Sequence, residues 1–253
     1  MMKIAVITGA SAGLGVEFAK QMRDYFPEVE QVWLIARRRE RLEELAEKLE
    51  GVRTEILPLD LCDKGSFSTL AEKLAAEKPD VRLLINNAGC GYLGDVGQGD
   101  VDKQVRMTDL NVTALTAVSH IVIPYMSAGS HIINVSSIAS FCVNPRMTVY
   151  SSTKAYVSSF TRGLACELKG AGIGVTAVCP GPMATEFLEI GRIAGNSKTF
   201  ETLPYCDPKK VVAGTLAAAR AGKVVYTPKA FYKFYRVLAK VLPHALVAPL
   251  AKC

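Results

Sequence analysis

Tyr150 and Lys154 stand four residues apart on a stretch of helical period, thirteen residues after Ser137. A four-residue step stacks two side chains on one helix face, so the Lys154 ammonium sits beside the Tyr150 phenol and favours its ionised form. A free phenol titrates at about 10, and such a neighbour brings it toward the range in which it exchanges protons as an acid–base catalyst. The spacing alone carries little weight, because a chain with 9 tyrosines meets it by chance. Tyr205 also has a lysine four positions on, Lys209, but Pro208 lies just before that lysine and breaks any helix joining the pair.

These side chains need elements to hold them. Short β-branched runs alternate with longer stretches of helical period. Lys3–Ile7, Val32–Ile35, Arg53–Pro58, Arg82–Asn86, His131–Val135, Gly174–Cys179 and Lys223–Tyr226 are predicted strands. Gly13–Tyr25, Glu40–Leu49, Gly65–Ala76, Val101–Met126, Val149–Lys169 and Pro208–Ala219 are predicted helices. The alternation predicts an α/β fold of Rossmann type, a doubly wound parallel sheet with helices on both faces in three layers, α/β/α. Ligands of such sheets sit beyond the carboxyl ends of the strands. Gly9, Ala36, Asp60, Asn87, Ser137 and Pro180 each follow a predicted strand within a few positions, so one crevice can collect them.

The first predicted strand runs into Thr8-Gly9-Ala10-Ser11-Ala12-Gly13-Leu14-Gly15, where the first helix opens. Backbone N–H groups and the positive end of that helix are thereby aimed at a diphosphate. A literal G-x-G-x-x-G occurs later, at Gly89-Cys90-Gly91-Tyr92-Leu93-Gly94, with Asp109 further on. Asp95, Gly97 and Gly99 follow it where a helix would have to start, so it reads as a loop over the pocket and not as a phosphate cradle. NAD-preferring sites carry an acid at the end of the second strand for the ribose hydroxyls. Here the chain reads Ile35-Ala36-Arg37-Arg38-Arg39. Guanidinium groups at that place fit a 2′-phosphate, which favours NADP; a solvated helix start explains Arg39 better than it explains Arg37.

Together these residues resemble the short-chain dehydrogenase/reductase family in its shorter branch, over residues 3 to 226. The motifs occur in family order: Thr8–Gly15, Asp60 within Leu59-Asp60-Leu61, Asn86-Asn87-Ala88-Gly89, Asn111, Ser137, Tyr150 with Lys154, and Pro180-Gly181 with Thr185. The resemblance implies a cofactor site of Gly9, Ser11, Gly13, Leu14, Gly15, Arg37, Arg38, Asp60, Leu61, Asn87, Ala88, Gly89, Tyr150, Lys154, Pro180, Gly181, Met183 and Thr185. Within it, Asp60 and Leu61 would touch the adenine, and Pro180, Gly181, Met183 and Thr185 the nicotinamide end. The implied catalytic set is Asn111, Ser137, Tyr150 and Lys154. Tyr150 would give a proton to a carbonyl oxygen that gains charge as hydride arrives, with Ser137 as a second donor, and the positive ring of the oxidised cofactor would join Lys154 in lowering the phenol's pKa. Asn111, read alone, is a polar interruption of a long helix. By the resemblance it distorts that helix and holds a water that links Lys154 to solvent.

The activity so implied is an NADP(H)-dependent interconversion of a carbonyl and a secondary alcohol, in the reductive direction, on a lipophilic ketone of steroid, keto-acyl or xenobiotic type. Tyr92, Leu93, Phe141, Val143, Phe187, Leu188 and Phe200 are the apolar candidates for its pocket. One alternative is a sugar-nucleotide epimerase or dehydratase of the longer branch; the chain length and the Gly9–Gly15 spacing speak against it. Another is a non-catalytic NADP-binding regulator at a membrane surface; the complete Asn111, Ser137, Tyr150 and Lys154 set speaks against that.

The 253 residues, 49% of them hydrophobic, are read as a single oxidoreductase domain, 1–253, with a substrate lid at 183–207. The 7 cysteines show no C-x-x-C spacing and the 3 histidines form no ligand pair, so thiols are expected reduced and no metal site is expected. No apolar run reaches spanning length and the first residues are too short for a signal segment, which points to the cytoplasm. The net charge of +6 is uneven: the 46 residues from Pro208 to Cys253 hold nine Lys/Arg and no Asp/Glu, which leaves the remainder slightly acidic. That balance and the lack of a recognition module exclude nucleic acid as the expected partner. Residues 228–253 form a basic amphipathic segment. Phe231, Phe234, Tyr235, Leu238 and Leu242 recur at helical spacing beside Lys229, Lys233, Arg236 and Lys240, with Pro243 and Pro249 limiting the length. It can lie on an anionic membrane, cover the pocket, join an interface or pack on its own fold. The resemblance implies a homodimer or homotetramer paired through Val101–Met126 and Val149–Lys169.

Overall fold

A computed structural model describes residues 1–193, 195–247 and 251 of the protein; Pro249 and Cys253 lie outside the described residues. Strand β1 (Lys3–Thr8) occupies the middle of the sheet. Its Ile4 and Val6 belong to one buried cluster and its Ala5 and Ile7 to another, as the two-residue period of a strand covered on both faces requires. It pairs in parallel with β2 (Gln31–Ile35) on one side, and beyond β2 lies β3 (Arg53–Leu57). On the other side stand β4 (Asp80–Asn86), β5 (His131–Val135), β6 (Gly174–Val178) and the short edge strand β7 (Val225–Tyr226). The order β3-β2-β1-β4-β5-β6-β7 changes direction between β1 and β4, which opens a crevice at the carboxyl ends of those two strands.

The helices are α1 (Leu14–Tyr25), α2 (Arg39–Ala46), α3 (Lys64–Glu77), α4 (Val101–Thr108), α5 (Ala114–Val122), α6 (Thr148–Glu167), α7 (Glu186–Ile190), α8 (Lys198–Thr202), α9 (Pro208–Arg220), α10 (Ala230–Val241) and α11 (His244–Val247). Leu14, Phe18 and Met22 of α1, Leu42 and Leu45 of α2, and Val211, Val212 and Leu216 of α9 fill one face of the sheet. Leu70 and Leu74 of α3, Val118 and Val122 of α5, and Leu164 of α6 fill the other. Asp63, Asp100 and Asp207 cap α3, α4 and α9 by accepting backbone N–H groups of the first turn. Gly13 at the start of α1 offers no side-chain cap, and that helix end opens on the crevice.

The expected continuous helix Val101–Met126 is broken. It divides into α4, a π-helical turn over Asp109–Thr113, α5 and a 3₁₀ turn over Ile123–Tyr125 that contains Pro124, which has no N–H to continue an α-helix. The strand expected over Lys223–Tyr226 shortens to Val225–Tyr226, and other boundaries move by a few residues, as frayed element ends do. No helix starts between Gly89 and Asp100, so the literal G-x-G-x-x-G is a loop. Among the described residues no helix is long and apolar enough to cross a membrane.

Candidate active site

A cleft of about 580 Å³ lies at the carboxyl ends of the strands. Of the residues chosen from sequence, Gly9, Ser11, Gly13, Leu14, Arg37, Arg38, Asp60, Leu61, Asn87, Ala88, Gly89, Ser137, Tyr150, Lys154, Pro180, Gly181, Met183 and Thr185 line it. Gly15 and Asn111 do not, and each stands one layer behind. A Cβ on Gly15 would collide with the carbonyl oxygen of Gly9, so glycine there lets α1 close onto the turn.

The turn is tied across the crevice. Thr8 Oγ1 accepts the N–H groups of Asn87 and Ala88, each at 3.0 Å, and Asn87 Nδ2 donates to the carbonyls of Thr8 and Gly9, each at 3.0 Å. These bonds fix the ends of β1 and β4 side by side. Gly13 has φ 55 and the space in front of it is open, Thr185 being the nearest neighbour a Cβ would meet, at 3.7 Å. An uncapped helix end, an open glycine and the Ser11 hydroxyl together fit the diphosphate of a dinucleotide.

The arginines expected to receive a 2′-phosphate already hold carboxylates. Arg38 Nη2 donates to Ser11 Oγ at 3.2 Å and to Glu186 Oε2 at 3.1 Å, and Arg41 pairs with the other oxygen of Glu186. Arg37 stands 3.8 Å from Asp60, while Arg106 Nη2 reaches both Asp60 oxygens at 3.2 and 3.3 Å. Burial raises the Asp60 carboxyl, but the Cys62 N–H and the Arg106 and Arg37 guanidiniums outweigh it and hold the group below its ordinary value. The Glu186 carboxyl is also held low, by its bond from Arg41 first and by Arg38 against a smaller burial effect. Arg39 pairs along its own helix, with Glu43 at 3.6 Å, as expected of a solvated helix start. Arg41, Arg106 and Glu186 were not legible as site residues. Glu186 follows Thr185 directly, but its partners lie 145 and 148 residues away.

At the other end of the cleft α6 carries Tyr150 and Lys154 on one face, with Nζ 5.7 Å from the phenol ring centroid. Lys154 Nζ donates to the carbonyl of Val135, the last residue of β5, at 2.8 Å. Ser137 lines the cleft with Tyr150, near enough for its hydroxyl to favour the phenolate, and its Oγ accepts the Ala139 N–H at 3.1 Å. The lowering expected from Lys154 is outweighed by burial. Burial disfavours the phenolate and raises Tyr150 to about 12, with the Ser137 hydroxyl opposing, and burial also lowers Lys154 to about 8. Desolvation therefore dominates both groups, and the Tyr150 phenol is held in its protonated form.

Asn111 sits inside the π turn, buried. Its Nδ2 donates to the Cys90 carbonyl at 2.8 Å and to Thr153 Oγ1 at 3.0 Å, its Oδ1 accepts the Cys90 N–H at 2.9 Å, and Thr153 Oγ1 donates to the Tyr150 carbonyl at 2.7 Å. The helix distortion expected of it is present, and its amide joins the loop around Gly89–Gly91 to the backbone of Tyr150. Gly89 fills the step between them, since a Cβ there would lie 3.0 Å from Asn111 Oδ1 and 3.4 Å from Lys154 Nζ.

Tyr92, Phe187, Leu188 and Phe200 line the cleft beyond Tyr150, whose ring lies 5.6 Å from that of Phe187. Leu93, Phe141 and Val143 are not in its wall: Phe141 packs on Tyr235 with centroids 6.1 Å apart, and Val143 is exposed. Helix α10 supplies a wall that sequence left among several options, through Phe231, Tyr235 and Leu238, with Leu242 just past its end. It is pinned by Tyr232, which is fully buried, donates to the Pro204 carbonyl at 2.7 Å and rests where a Cβ on Gly181 would collide.

Residues 3–192 match the family model described as short chain dehydrogenase. The chain is 35% identical over 225 residues, 86% of each chain, to sulfoacetaldehyde reductase 2 of Chromohalobacter salexigens. It is similar in structure to a short-chain dehydrogenase from Sphingobium yanoikuyae in complex with NADPH, with TM-score 0.78 and 27% identity over 96% of this chain and 98% of that one. A bulky-bulky ketone specific alcohol dehydrogenase from Comamonas testosteroni is likewise similar, with TM-score 0.74 and 27% identity over 96% of this chain and 95% of the other.

Proposed function

The chain belongs to the short-chain dehydrogenase/reductase family of NAD(P)-binding oxidoreductases, and from that premise we propose that it reduces a lipophilic ketone to a secondary alcohol with NADPH. The observation that carries this reading is the buried Tyr150 phenol, close to Ser137 in the wall of the same cleft and backed by Lys154 at its inner end.

When bound, the nicotinamide cofactor supplies the hydride. The chain's own residues do the rest. Tyr150 donates to the carbonyl oxygen and then passes its proton to the forming alkoxide, while the Ser137 hydroxyl gives that oxygen a second hydrogen bond. The phenolate left on Tyr150 is a charge in an apolar place, and the Lys154 ammonium on the same helix face stabilises it. Asn111 holds the Cys90 backbone and, through Thr153, the helix turn that carries Tyr150. The open end of α1, Ser11 and Arg38 fit the phosphates, and Arg38 together with the lack of an acid after β2 favours NADP over NAD. Tyr92, Phe187, Leu188, Phe200 and the inner side of α10 exclude water and select an apolar substrate. The ketone-specific structural relative is in keeping with a bulky ketone.

A screen of NADPH oxidation across steroid, keto-acyl and aromatic ketones, with aldehydes as the contrast, tests the reading. Turnover of apolar ketones, with NADH much poorer, is the expected result. Bound NADPH without turnover of any carbonyl compound would leave only a nucleotide-binding protein.

A further inference from the structure

Helix α10 has two apolar sides, and the fold uses one of them. Residues on a helix advance by about 100°, so Phe234, Val237 and Val241 fall in one line. That line faces away from the protein, at 67%, 61% and 74% exposure, and Leu246 of α11 is exposed as well, at 62%. The opposite line, Tyr232, Tyr235 and Ala239, is packed on the fold. Lys233 and Lys240, both exposed, flank the outward ridge, and Lys229 stands exposed at the start of the helix. An aligned row of exposed aliphatic and aromatic side chains is unusual on a soluble protein and marks a contact surface.

We propose that the outward face of α10 docks the protein on an anionic lipid surface. Charge chooses this occupant. From Pro208 to the end of the chain there are nine Lys/Arg and no Asp or Glu, so the segment that carries the ridge is itself wholly basic. A second copy seated antiparallel across a two-fold axis would set Lys233 and Lys240, which lie on one side of the ridge, against their own equivalents. A bilayer satisfies both features at once, the acyl region taking Phe234, Val237 and Val241 and the lipid phosphates taking the amines. The inner side of the same helix lines the cleft, so docking brings the cleft to the lipid boundary where an apolar ketone concentrates. That last step rests on the proposed reaction, whereas the docking does not and is read without turnover.

The test is co-sedimentation of the full chain with vesicles of phosphatidylcholine alone and of equal parts phosphatidylcholine and phosphatidylglycerol. The wild type is expected to bind the second kind and not the first. Binding should fall about tenfold or more both in Phe234→Ser/Val237→Ser/Val241→Ser and in Lys233→Glu/Lys240→Glu, with circular dichroism and NADPH binding unchanged. None of these side chains lines the cleft. Failure of the wild type to bind anionic vesicles overturns the proposal, as does equal binding by wild type and both variants. So does a wild-type dimer in analytical ultracentrifugation that the ridge variant splits, which would give the ridge to a second copy.

Discussion

The two ends of the cleft treat charge in opposite ways. Around the cofactor end, six ionisable groups stand partly in solvent and pair with one another, the four guanidiniums of Arg37, Arg38, Arg41 and Arg106 sharing the two carboxylates of Asp60 and Glu186, which leaves an excess of positive charge. Around Ser137, Tyr150 and Lys154 are enclosed, and burial, not a partner, sets their protonation. Exposed pairs of the first kind contribute about 0–1 kcal/mol each and exchange partners readily. A buried ammonium of the second kind costs stability and is retained for what it does to a neighbouring charge. One end is suited to choosing a ligand and the other to chemistry.

The sharpest way to break this contrast is at Tyr150. Tyr150→Phe keeps the ring against Phe187 and removes only the proton, so turnover should fall at least about a thousandfold while NADPH binding, followed by fluorescence, stays near wild type. Undiminished hydride transfer in stopped-flow measurements would show that the buried end is not the chemical end.

Lys154→Met separates cost from use. Lys154 titrates near 8 when folded against 10.5 when free, so below about pH 8 the folded protein carries the whole penalty of burying the charge. Between about 8 and 10.5 the unfolded chain binds the proton that the folded one has lost, so wild-type stability from this group rises with pH, and above that range the penalty is gone. The variant should therefore be catalytically dead yet melt higher than wild type at pH 7, with the gap narrowing toward pH 10.5. A gap that is constant across that range would mean that the ammonium is not penalised by burial.

These differences follow what a sequence can and cannot carry. Tyr150, Lys154 and Ser137 are legible because their relation is local: a helical step and a strand end fix them. The glycine turn is legible for the same reason, and alternation along β1 alone shows two buried faces. Protonation is not local. The burial that outweighs Lys154 at Tyr150 comes from Phe187, the Gly91 loop and the rest of the wall closing over it, and no spacing encodes that enclosure. Asn111 is visible as an oddity within a helix, but the Cys90 backbone that it binds is 21 residues away. The ion pairs of Arg38 with Glu186 and of Arg106 with Asp60 span 148 and 46 residues, so the sequence offers the arginines without their partners.

Arg38 tests the selecting end. If it receives the 2′-phosphate, Arg38→Ala should lower kcat/KM with NADPH about ten- to a hundredfold and leave NADH nearly unchanged, because a charge-assisted bond to phosphate contributes about 1.5–3 kcal/mol and NADH lacks that group. Arg37→Asp should shift the ratio in the same direction by less, since Arg37 is the more exposed of the two and faces Asp60. An unchanged ratio of kcat/KM for the two cofactors in both variants would remove the NADP preference from this pair of arginines.

The smallest effect is the most specific to this chain. Glu186 holds Arg38 and Arg41 at the start of α7, in the segment between Met183 and Asp207 that closes one side of the cleft. A 2′-phosphate brought to Arg38 must compete with that carboxylate, so the ion pair opposes NADPH. Glu186→Gln keeps the shape and removes the charge, and it should lower the KM for NADPH a few-fold without changing that for NADH. The pair is one-third exposed on each side, so salt should weaken it in the wild type and the advantage of the variant should shrink from low ionic strength to about 0.5 M, where screening acts within a few ångströms. If the variant instead binds both cofactors more weakly, Glu186 serves to hold the cleft closed around the ligand, and the exposed end is then no freer to rearrange its charges than the buried one.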